Sequence, residues 1–471
     1  MNCMKKNVLL ITICAILMPC TYARAEYRGG SNPSFVQEGI GYFILSEEEH
    51  TVAVCGANDS EITSIDVPET IVNDSIEYKV VAIANEAFMR SKLTEIHLPQ
   101  TLKAVGAYAF CDCPLSEIIF PDSIMKIGEC AFFNCSLLKK ARIPDRHVIV
   151  ETAAFSGTRL DSIIIRNSIE YGFAVYSLTK ETKGITIEPG VKEIPGGMFM
   201  GRFDQGIAPI YSGCSSVVFP ETITKIGSCA FETNRLTSLV LPESCVEIDS
   251  AAFGRCPVLE RIKLPNTLER LGTMAFYLNS SLKEVEVPAS VNTLKTGVFA
   301  GCKDLERIVI HSENVEHFFS FPDTLLNGFG GSSWLAIAKN NEPWMNTIVF
   351  GKEVKRISLG NDKEKSNGKP YGRAHIQNVY CEGIIPPEGG IWQAGATLHV
   401  PKGCREVYAS AKIWELYGDN IVDDIELSGI HNAQVKTQDS DAPTYDLQGR
   451  RVAHPKQGEI YIQNGKKYIN K

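Results

Sequence analysis

The sequence predicts a repeat solenoid, mainly β with turns and short helices, in which each coil of 22 or 23 residues contributes short parallel strands. Two observations carry this prediction. Stretches that start at Leu93, Leu115, Leu236, Leu259 and Leu282 share the frame L-x-x-I-x-L-P-x-x-[IVL]-x-x-[IL]-x-x-x-A-F, with conservative exchanges. Seven prolines each precede a phenylalanine by the same number of residues that separates Pro99 from Phe110. These prolines are Pro99, Pro121, Pro144, Pro220, Pro242, Pro265 and Pro288.

The residue types within one coil explain its predicted elements. Leu93, Ile96 and Leu98 lie on alternate positions near the end of a short strand, so their side chains point to the same side. The following proline ends the strand because it has no N–H to donate. Leu102 and Val105 mark a second leg, and the Ala-Phe pair fills the middle of the coil. One such coil cannot bury its apolar side alone, so we expect the coils to stack.

Imperfect coils extend the array in both directions. Pro68 and Phe88 are further apart than the constant interval allows, and the additional residues between them predict a hairpin insertion. At 160–178 we place Asn167 at the proline position and find no Ala-Phe pair, whereas Glu188 takes the proline position at the usual interval before Phe199. We count about ten coils, and an eleventh can be drawn around 348–357.

The ends of the chain differ from the repeats in composition. Lys5 and Lys6 precede an apolar run that ends at Met18, and an A-x-A site predicts signal-peptide cleavage near Ala25. An alternative interpretation makes Cys20 a lipidated cysteine. The expected organisation is a signal peptide (1–25), an N-terminal hairpin cap (26–60), the solenoid (61–312), irregular coils with insertions (313–373), a C-terminal cap (374–427), a linker (428–443) and a tail (444–471).

The charge balance and the missing motifs exclude several functional classes. A formal net charge of −8 argues against nucleic acid, which needs a basic surface. No stretch after the signal peptide is long and apolar enough for a transmembrane helix. The sequence has no H-E-x-x-H pair, no nucleophile elbow and no P-loop, so we expect no catalytic residues, no metal and no cofactor.

A periodic set of cysteines and asparagines follows the repeat phenylalanines at a fixed phase. We predict that these side chains point inward and bond backbone groups that the coil leaves unpaired, which makes them a structural ladder. A disulfide between neighbouring coils is the alternative, whereas one cysteine per coil lacks the paired spacing of zinc sites. The set comprises Cys113, Cys135, Asn234, Cys256, Asn279 and Cys302.

The unit L-x-x-I-x-L-P…I-G-x-x-A-F-x-x-C resembles the BspA-like leucine-rich-repeat surface proteins of Bacteroidetes, strongly over 60–310. The resemblance implies a leucine-rich-repeat solenoid, export to the cell surface and adhesion to host matrix proteins or to other bacteria. The tail resembles a type IX secretion sorting signal through Tyr445, Leu447, Gly449 and Val452. Its G-x-x-Y stretch is longer than the usual G-x-Y, so a vestigial tail or a small hairpin module is the alternative.

Two groups of residues are candidates for a ligand-binding face. His97, Arg142, Lys263 and Glu286 take outward strand positions, although mixed charge on a sheet also serves solubility. Aromatic residues at 313–345 form a recognition patch or seal a degenerate coil: Phe318, Phe319, Trp334 and Trp344. We therefore expect a non-catalytic protein that binds protein ligands, with a glycan-binding accessory protein as the alternative.

Overall fold

The computed structural model describes residues 33–176, 182, 184–200, 215–316, 346–358, 376–391 and 395–426, and the backbone of short strands at 444–445, 460–463 and 466–469. The signal peptide, Cys20, the linker and the aromatic candidates Phe318, Phe319, Trp334 and Trp344 lie outside the described residues. The chain forms two compact units, an N-terminal unit (Met1–Leu259) and a C-terminal unit (Glu260–Lys471). In each unit short parallel strands stack coil upon coil, which confirms the predicted repeat solenoid.

Each coil of the N-terminal unit has a first leg and a second leg. The first-leg strands are Ser64–Asp66, Glu95–His97, Glu117–Ile119, Lys140–Arg142, Ser162–Ile165, Gly184–Ile187 and Ser238–Val240. The second-leg strands are Ile76–Ile83, Ala104–Val105, Lys126–Ile127, Val148–Val150, Ile169–Tyr171, Glu193–Ile194, Lys225–Ile226 and Glu247–Ile248. Paired strands of either leg run parallel, because each coil repeats the path of the coil before it.

A three-stranded meander covers the start of the N-terminal unit. Phe35–Gln37, Ile40–Ser46 and Thr51–Ala57 pair in antiparallel fashion, and the last of them pairs in parallel with Ile76–Ile83. Thr70–Asn73 also pairs antiparallel with Ile76–Ile83, so the predicted hairpin insertion is confirmed.

The C-terminal unit repeats the two-legged design and ends in short helices. Its first-leg strands are Arg261–Lys263, Glu284–Val287, Arg307–Ile310, Thr347–Phe350, Asn378–Cys381, Thr397–Pro401 and Ile421–Ile425. The second-leg strands are Arg270–Leu271, Thr293–Leu294, Asn314–Val315, Arg356–Ile357 and Glu388–Gly389. An α-helix (Arg405–Ala409) and a 3₁₀ helix (Trp414–Asn420) precede the last first-leg strand, and a tail sheet follows with Thr444–Tyr445, Ile460–Gln463 and Lys466–Ile469.

The two helices of the C-terminal unit bury three aromatic side chains, Tyr408, Trp414 and Tyr417. Their polar atoms are bonded: Tyr408 donates to the Gly383 carbonyl at 2.7 Å, and Trp414 Nε1 donates to the Pro387 carbonyl at 3.2 Å. No helix in the part of the chain that the structure describes is long and apolar enough to cross a bilayer.

The repeat aromatics form a column of stacked rings inside each unit. In the N-terminal unit the centroids of successive rings are 5.1 to 6.5 Å apart. Phe276 and Phe299 stack at 5.7 Å in the C-terminal unit. Full burial stabilises by roughly 1.5–3 kcal/mol per ring, and stacking adds about 0.5–1.5 kcal/mol. The N-terminal column contains Phe88, Phe110, Phe132, Phe155, Tyr176, Phe199, Phe231 and Phe253.

The coil at 160–178 departs from its sequence assignment in two ways. Tyr176 takes the ring position between Phe155 and Phe199, although the coil lacks an Ala-Phe pair. The strand register pairs Ile165 with Ile187, which directly precedes Glu188 at the proline position of the next coil. Arg166 therefore takes the proline position of this coil, and the assignment of Asn167 to that position was wrong.

The turn around each ring supplies backbone hydrogen bonds between coils, in addition to those between the first-leg strands and between the second-leg strands. Tyr108 has a left-handed backbone (φ 55°), and the corresponding residues Cys130 and Ala251 share it. This conformation directs the N–H of Tyr108 to the Glu129 carbonyl (2.9 Å), and the N–H of Phe110 bonds the Ala131 carbonyl (2.8 Å). A non-glycine residue in this region costs about 1–2 kcal/mol, so the bonds between coils must offset local strain.

The ring column gives a direct stability prediction. Phe132 stacks on Phe110 and Phe155 at 5.1 and 5.2 Å and is fully buried. Phe132→Ala should therefore lower the free energy of unfolding by about 3–5 kcal/mol, measured by denaturant titration. The control is Phe133→Ala, because Phe133 is only half-buried. Equal losses for both variants would contradict the assignment.

Candidate ligand-binding surface

The outward side chains of the first-leg strands form the strand face of each unit. In the N-terminal unit, strand pairing places Asp66 beside His97, Ile119 beside Arg142 and Ile164 beside Thr186. Paired strands are about 4.8 Å apart, so these side chains form a row across the coils. The alternation that buries the inward residues of each strand therefore exposes the residues between them.

His97 lies between two carboxylates on this face. Its Nδ1 is 2.7 Å from Asp66 Oδ1, and its Nε2 is 3.5 Å from Glu95 Oε1. Asp66 and His97 belong to different coils and meet because their strands pair. All three side chains are more than half exposed, so the pairs contribute at most about 1 kcal/mol and leave His97 accessible.

Arg142 is exposed and makes no ion pair or side-chain hydrogen bond with any other residue that the structure describes. Its neighbour Lys140 differs, because Lys140 Nζ lies 3.8 Å from Glu117 Oε2. The row that contains Arg142 also carries exposed apolar side chains, which is unusual for a solvent-facing sheet. Their exposed fractions range from 40% to 80%: Ile119, Ile164, Val218 and Val240.

The strand face of the C-terminal unit is mainly charged near its start. Lys263 and Glu286 are exposed, as the sequence predicts. Glu286 Oε1 lies 3.3 Å from His311 Nε2, and Glu353 Oε2 lies 3.2 Å from His311 Nδ1. His311, at a proline position, thus bridges carboxylates that belong to coils on either side of its own.

Further along the same face lies a groove of about 520 Å³ that sequence analysis missed. Its wall includes Tyr380, which stacks on His399 with ring centroids 4.2 Å apart. His399 Nδ1 in turn lies 2.9 Å from Asp424 Oδ2. The alternation of apolar and polar or aromatic residues in NVYC and TLHV points Tyr380 and His399 outward. This alternation was the sequence signal that could have indicated the groove. The groove is lined by Arg307, Thr347, Val349, Tyr380, Glu382, Asp424 and Ile425.

The cysteines and asparagines that follow the rings point inward and bond backbone carbonyls. Cys113 Sγ donates to the Phe88 carbonyl (2.8 Å), and Cys135 Sγ donates to the Phe110 carbonyl (3.0 Å), one coil back. Equivalent contacts reach Phe231 from Cys256 (3.4 Å), Phe276 from Cys302 (3.2 Å) and Phe199 from Asn234 (3.2 Å). Asn279 Nδ2 donates to the Phe276 carbonyl of its own coil at 2.9 Å.

These cysteines are not suited to metal binding or redox chemistry. The cysteines among the described residues are buried, and none of them forms a disulfide within the described ranges. Burial raises the pKa of Cys302 to about 12 and that of Cys245 to about 11, which suppresses the reactive thiolate. Within the described ranges, no three His, Cys, Asp or Glu side chains come together in a way that could hold a metal ion.

A second inward ladder was missed by sequence analysis. Thr101 Oγ1 donates to the Val80 carbonyl (2.7 Å), Ser123 Oγ to Leu102 (2.6 Å) and Ser244 Oγ to Ile223 (2.7 Å). Each of these serine and threonine residues lies two positions after its repeat proline. The recurring P-x-[ST] pattern in the sequence could therefore have revealed this ladder. Like the cysteines, these hydroxyls hold one coil to the coil before it.

Comparison with known proteins agrees with this geometry. The model of the family described as BspA type leucine rich repeat region (6 copies) matches residues 57–171, 81–203 and 210–320, more than half of the chain. The chain belongs to the BspA-type leucine-rich-repeat family. Among curated protein sequences, none matches this chain.

Several solved structures match this chain at low sequence identity. A leucine-rich repeat protein from Bacteroides ovatus has 20% identity and a TM-score of 0.50, with 83% of this chain and 98% of that chain covered. The pneumococcal vaccine antigen PcpA has 17% identity and a TM-score of 0.46, with coverage of 84% and 97%. A leucine rich cell surface protein from Faecalibacterium prausnitzii has 19% identity and a TM-score of 0.39, with coverage of 73% and 98%.

Membership of the BspA-type family separates two kinds of residue in this chain. The inward leucines, rings, hydroxyls and cysteines build the coil, so they account for the fold and not for a ligand. The outward positions, among them His97, Arg142, Lys263 and Glu286, are exposed and do not take part in the packing inside the coils. Repeat arrays commonly contact their ligands through such outward positions or through loops.

The inward thiols can be tested by a matched pair of substitutions. Cys135→Ala removes the Sγ–H donor and leaves the buried Phe110 carbonyl only the Cys113 N–H (3.1 Å), so unfolding should become easier by about 1–1.5 kcal/mol. Cys111→Ala removes the same atoms, but Cys111 Sγ donates to the Asp112 carboxylate (3.7 Å) and not to a carbonyl of another coil, so its effect should stay below about 1 kcal/mol. Denaturant titration measures both, and a reversed order would refute the role assigned to Cys135.

Proposed function

We propose that this protein is exported to the cell surface, where it binds protein ligands through its strand face without catalysing a reaction. The supporting observation is the exposed row that contains Arg142, a cation without a partner among the described residues, between exposed β-branched side chains. Arginine beside apolar surface is typical of protein interfaces, because both can be desolvated at modest cost. Matrix proteins of a host and surface proteins of other bacteria are the proposed ligands.

The proposed location depends on the N-terminal sequence. Lys5, Lys6 and the apolar run to Met18 favour export with cleavage near Ala25. We propose that the tail at 444–471 then serves as a type IX sorting signal, and lipidation at Cys20 is the alternative route to the surface. The name of the Faecalibacterium prausnitzii neighbour, a cell surface protein, agrees with this location.

The absence of catalysis is part of the proposal. The family motif consists of coil-building residues, and none of the outward positions described above combines a nucleophile with a base. The cysteines that could act as nucleophiles are buried, and burial raises the pKa of Cys302 to about 12.

Glycan binding is the second candidate, and the groove of the C-terminal unit favours it. Tyr380, which is held by stacking on His399, offers aromatic surface in the groove, while Arg307, Glu382 and Asp424 provide hydrogen-bonding groups for sugar hydroxyls. A groove of about 520 Å³ falls within the usual size of small-ligand sites.

A double charge reversal tests protein binding at the strand face. The variant carries Arg142→Glu and Lys263→Glu. We expect it to bind its ligand at least about ten-fold more weakly than the unchanged protein, because two outward cations become anions. Binding is measured against a panel of extracellular-matrix proteins and intact cells of co-resident bacteria.

The control makes the same change of charge away from the strand face. Lys103 and Lys295 are exposed and adjoin second-leg strands, so Lys103→Glu with Lys295→Glu should leave affinity unchanged. No binding across the whole panel, or equal losses in both double variants, would overturn the proposed function.

A glycan array tests the second candidate. The unchanged protein should give a signal that Tyr380→Ala abolishes and Tyr380→Phe retains, because the ring and not the hydroxyl supplies the contact surface. An array on which the unchanged protein gives no signal, or a signal that Tyr380→Ala leaves unchanged, would contradict glycan binding through this groove.

A further inference from the structure

The first-leg ladder of the N-terminal unit is interrupted between strands Lys140–Arg142 and Ser162–Ile165. These strands belong to separate sheets, although their coils are consecutive. The coils still meet at the base of the strands, where the Asp161 N–H bonds the Lys139 carbonyl at 3.0 Å. Beyond that point, no backbone hydrogen bond joins 140–143 to 162–165 in the described chain.

Side chains of the irregular coil occupy the acceptors that would have continued the ladder. Arg166 Nη1 donates to the Ile143 carbonyl at 3.3 Å, and Tyr171 donates to the Ile164 carbonyl at 3.4 Å. Arg166 is also held by Glu188, whose Oε1 lies 3.3 Å from its Nε. Arg166 therefore lies at the interruption, at the position that proline holds in the regular coils.

A crevice of about 230 Å³ occupies the interruption. Its deeper wall is apolar and buried, formed by Ile143, Leu160, Ile163, Ile169 and Tyr176. Its outer wall contains side chains of the strand face, so the crevice opens to solvent on that face. An apolar cavity of about 150 Å³ can hold benzene, so this crevice has room for roughly ten heavy atoms.

The charges at the crevice all have the same sign. Arg142 and Arg166 line it, whereas no aspartate or glutamate does. Arg166 is already paired with Glu188, but Arg142 makes no ion pair with a described residue. A guanidinium beside an apolar recess matches a carboxylate attached to an apolar body, because Arg can bond both carboxylate oxygens at once.

We propose that this crevice binds a small amphiphilic carboxylate, with its apolar body between the two coils and its carboxylate on Arg142. This site goes beyond the proposed protein interface, because its ligand is a small free acid and not a protein. Its apolar wall consists of buried residues from two neighbouring coils and not of the exposed strand face. Neutral apolar molecules fit the recess but leave Arg142 without a counter-ion, and short acids such as acetate reach Arg142 without filling the recess.

The test titrates the full chain with 4-phenylbutanoate as the probe. Binding is detected by NMR of labelled isoleucine methyl groups. Saturable shifts confined to Ile143, Ile163, Ile164 and Ile169 are expected, with a Kd on the order of 1 mM or tighter for an acid of this size. 4-Phenylbutanamide and acetate should each bind at least about ten-fold more weakly. No saturable shift, shifts centred elsewhere, or equal affinity for the amide would overturn the proposal.

A matched pair of variants isolates the contribution of Arg142. Arg142→Gln should weaken binding of 4-phenylbutanoate by about ten-fold or more, whereas Lys140→Gln on the same strand should leave it unchanged. Both residues are exposed, so neither change should unfold the protein. Equal affinities in the two variants would contradict the site. Binding of the acid is measured without any protein ligand, so its failure is distinct from failure of the proposed function.

Discussion

A coil of 22 or 23 residues has one apolar side that only the neighbouring coils can cover, and the structure of each unit depends on this constraint. Phe132 illustrates it, because its ring lies between the rings of Phe110 and Phe155 and is fully buried. The same stacking brings Cys135 to the Phe110 carbonyl and Ser123 to the Leu102 carbonyl. The adjacent coil thus supplies the hydrogen-bond acceptors of these inward polar groups.

Sequence patterns predicted those features that every coil must repeat. The constant interval between proline and phenylalanine predicted the ring column, and the phase of Cys113 and Cys135 predicted inward thiols. Tyr176 escaped prediction because Ala-Val-Tyr does not match the Ala-Phe pair, yet a phenol fills the same place in the column as a phenyl ring. The left-handed turn at Tyr108 escaped it too, because most described coils carry a non-glycine residue there (Gly197 and Gly297 are exceptions) and bonds between coils hold the turn in place.

The outward residues were less predictable, for a physical reason. Strand alternation predicted that His97 and Glu286 face water, but not which side chains they meet, since their partners come from other coils. Asp66 and His97 meet because their strands pair, although a hairpin insertion separates the two strands in the sequence. Tyr380 and His399 lie where the repeat is degenerate, so only the finished ladder brings their rings together. Departures from the repeat, such as Arg166, are where this chain acquires properties that its family motif does not specify.

Native-state hydrogen exchange of the ring amides tests the stacking of coils most directly. The N–H groups of Phe110, Phe132 and Phe155 each bond a carbonyl of the next coil, at 2.8, 2.8 and 2.9 Å. If stacking holds the N-terminal unit together, these amides should exchange slowly and at similar rates, because releasing any one of them requires separating two coils. Exchange as fast as that of the exposed turn at Glu49, or rates that differ widely among the three, would contradict the account.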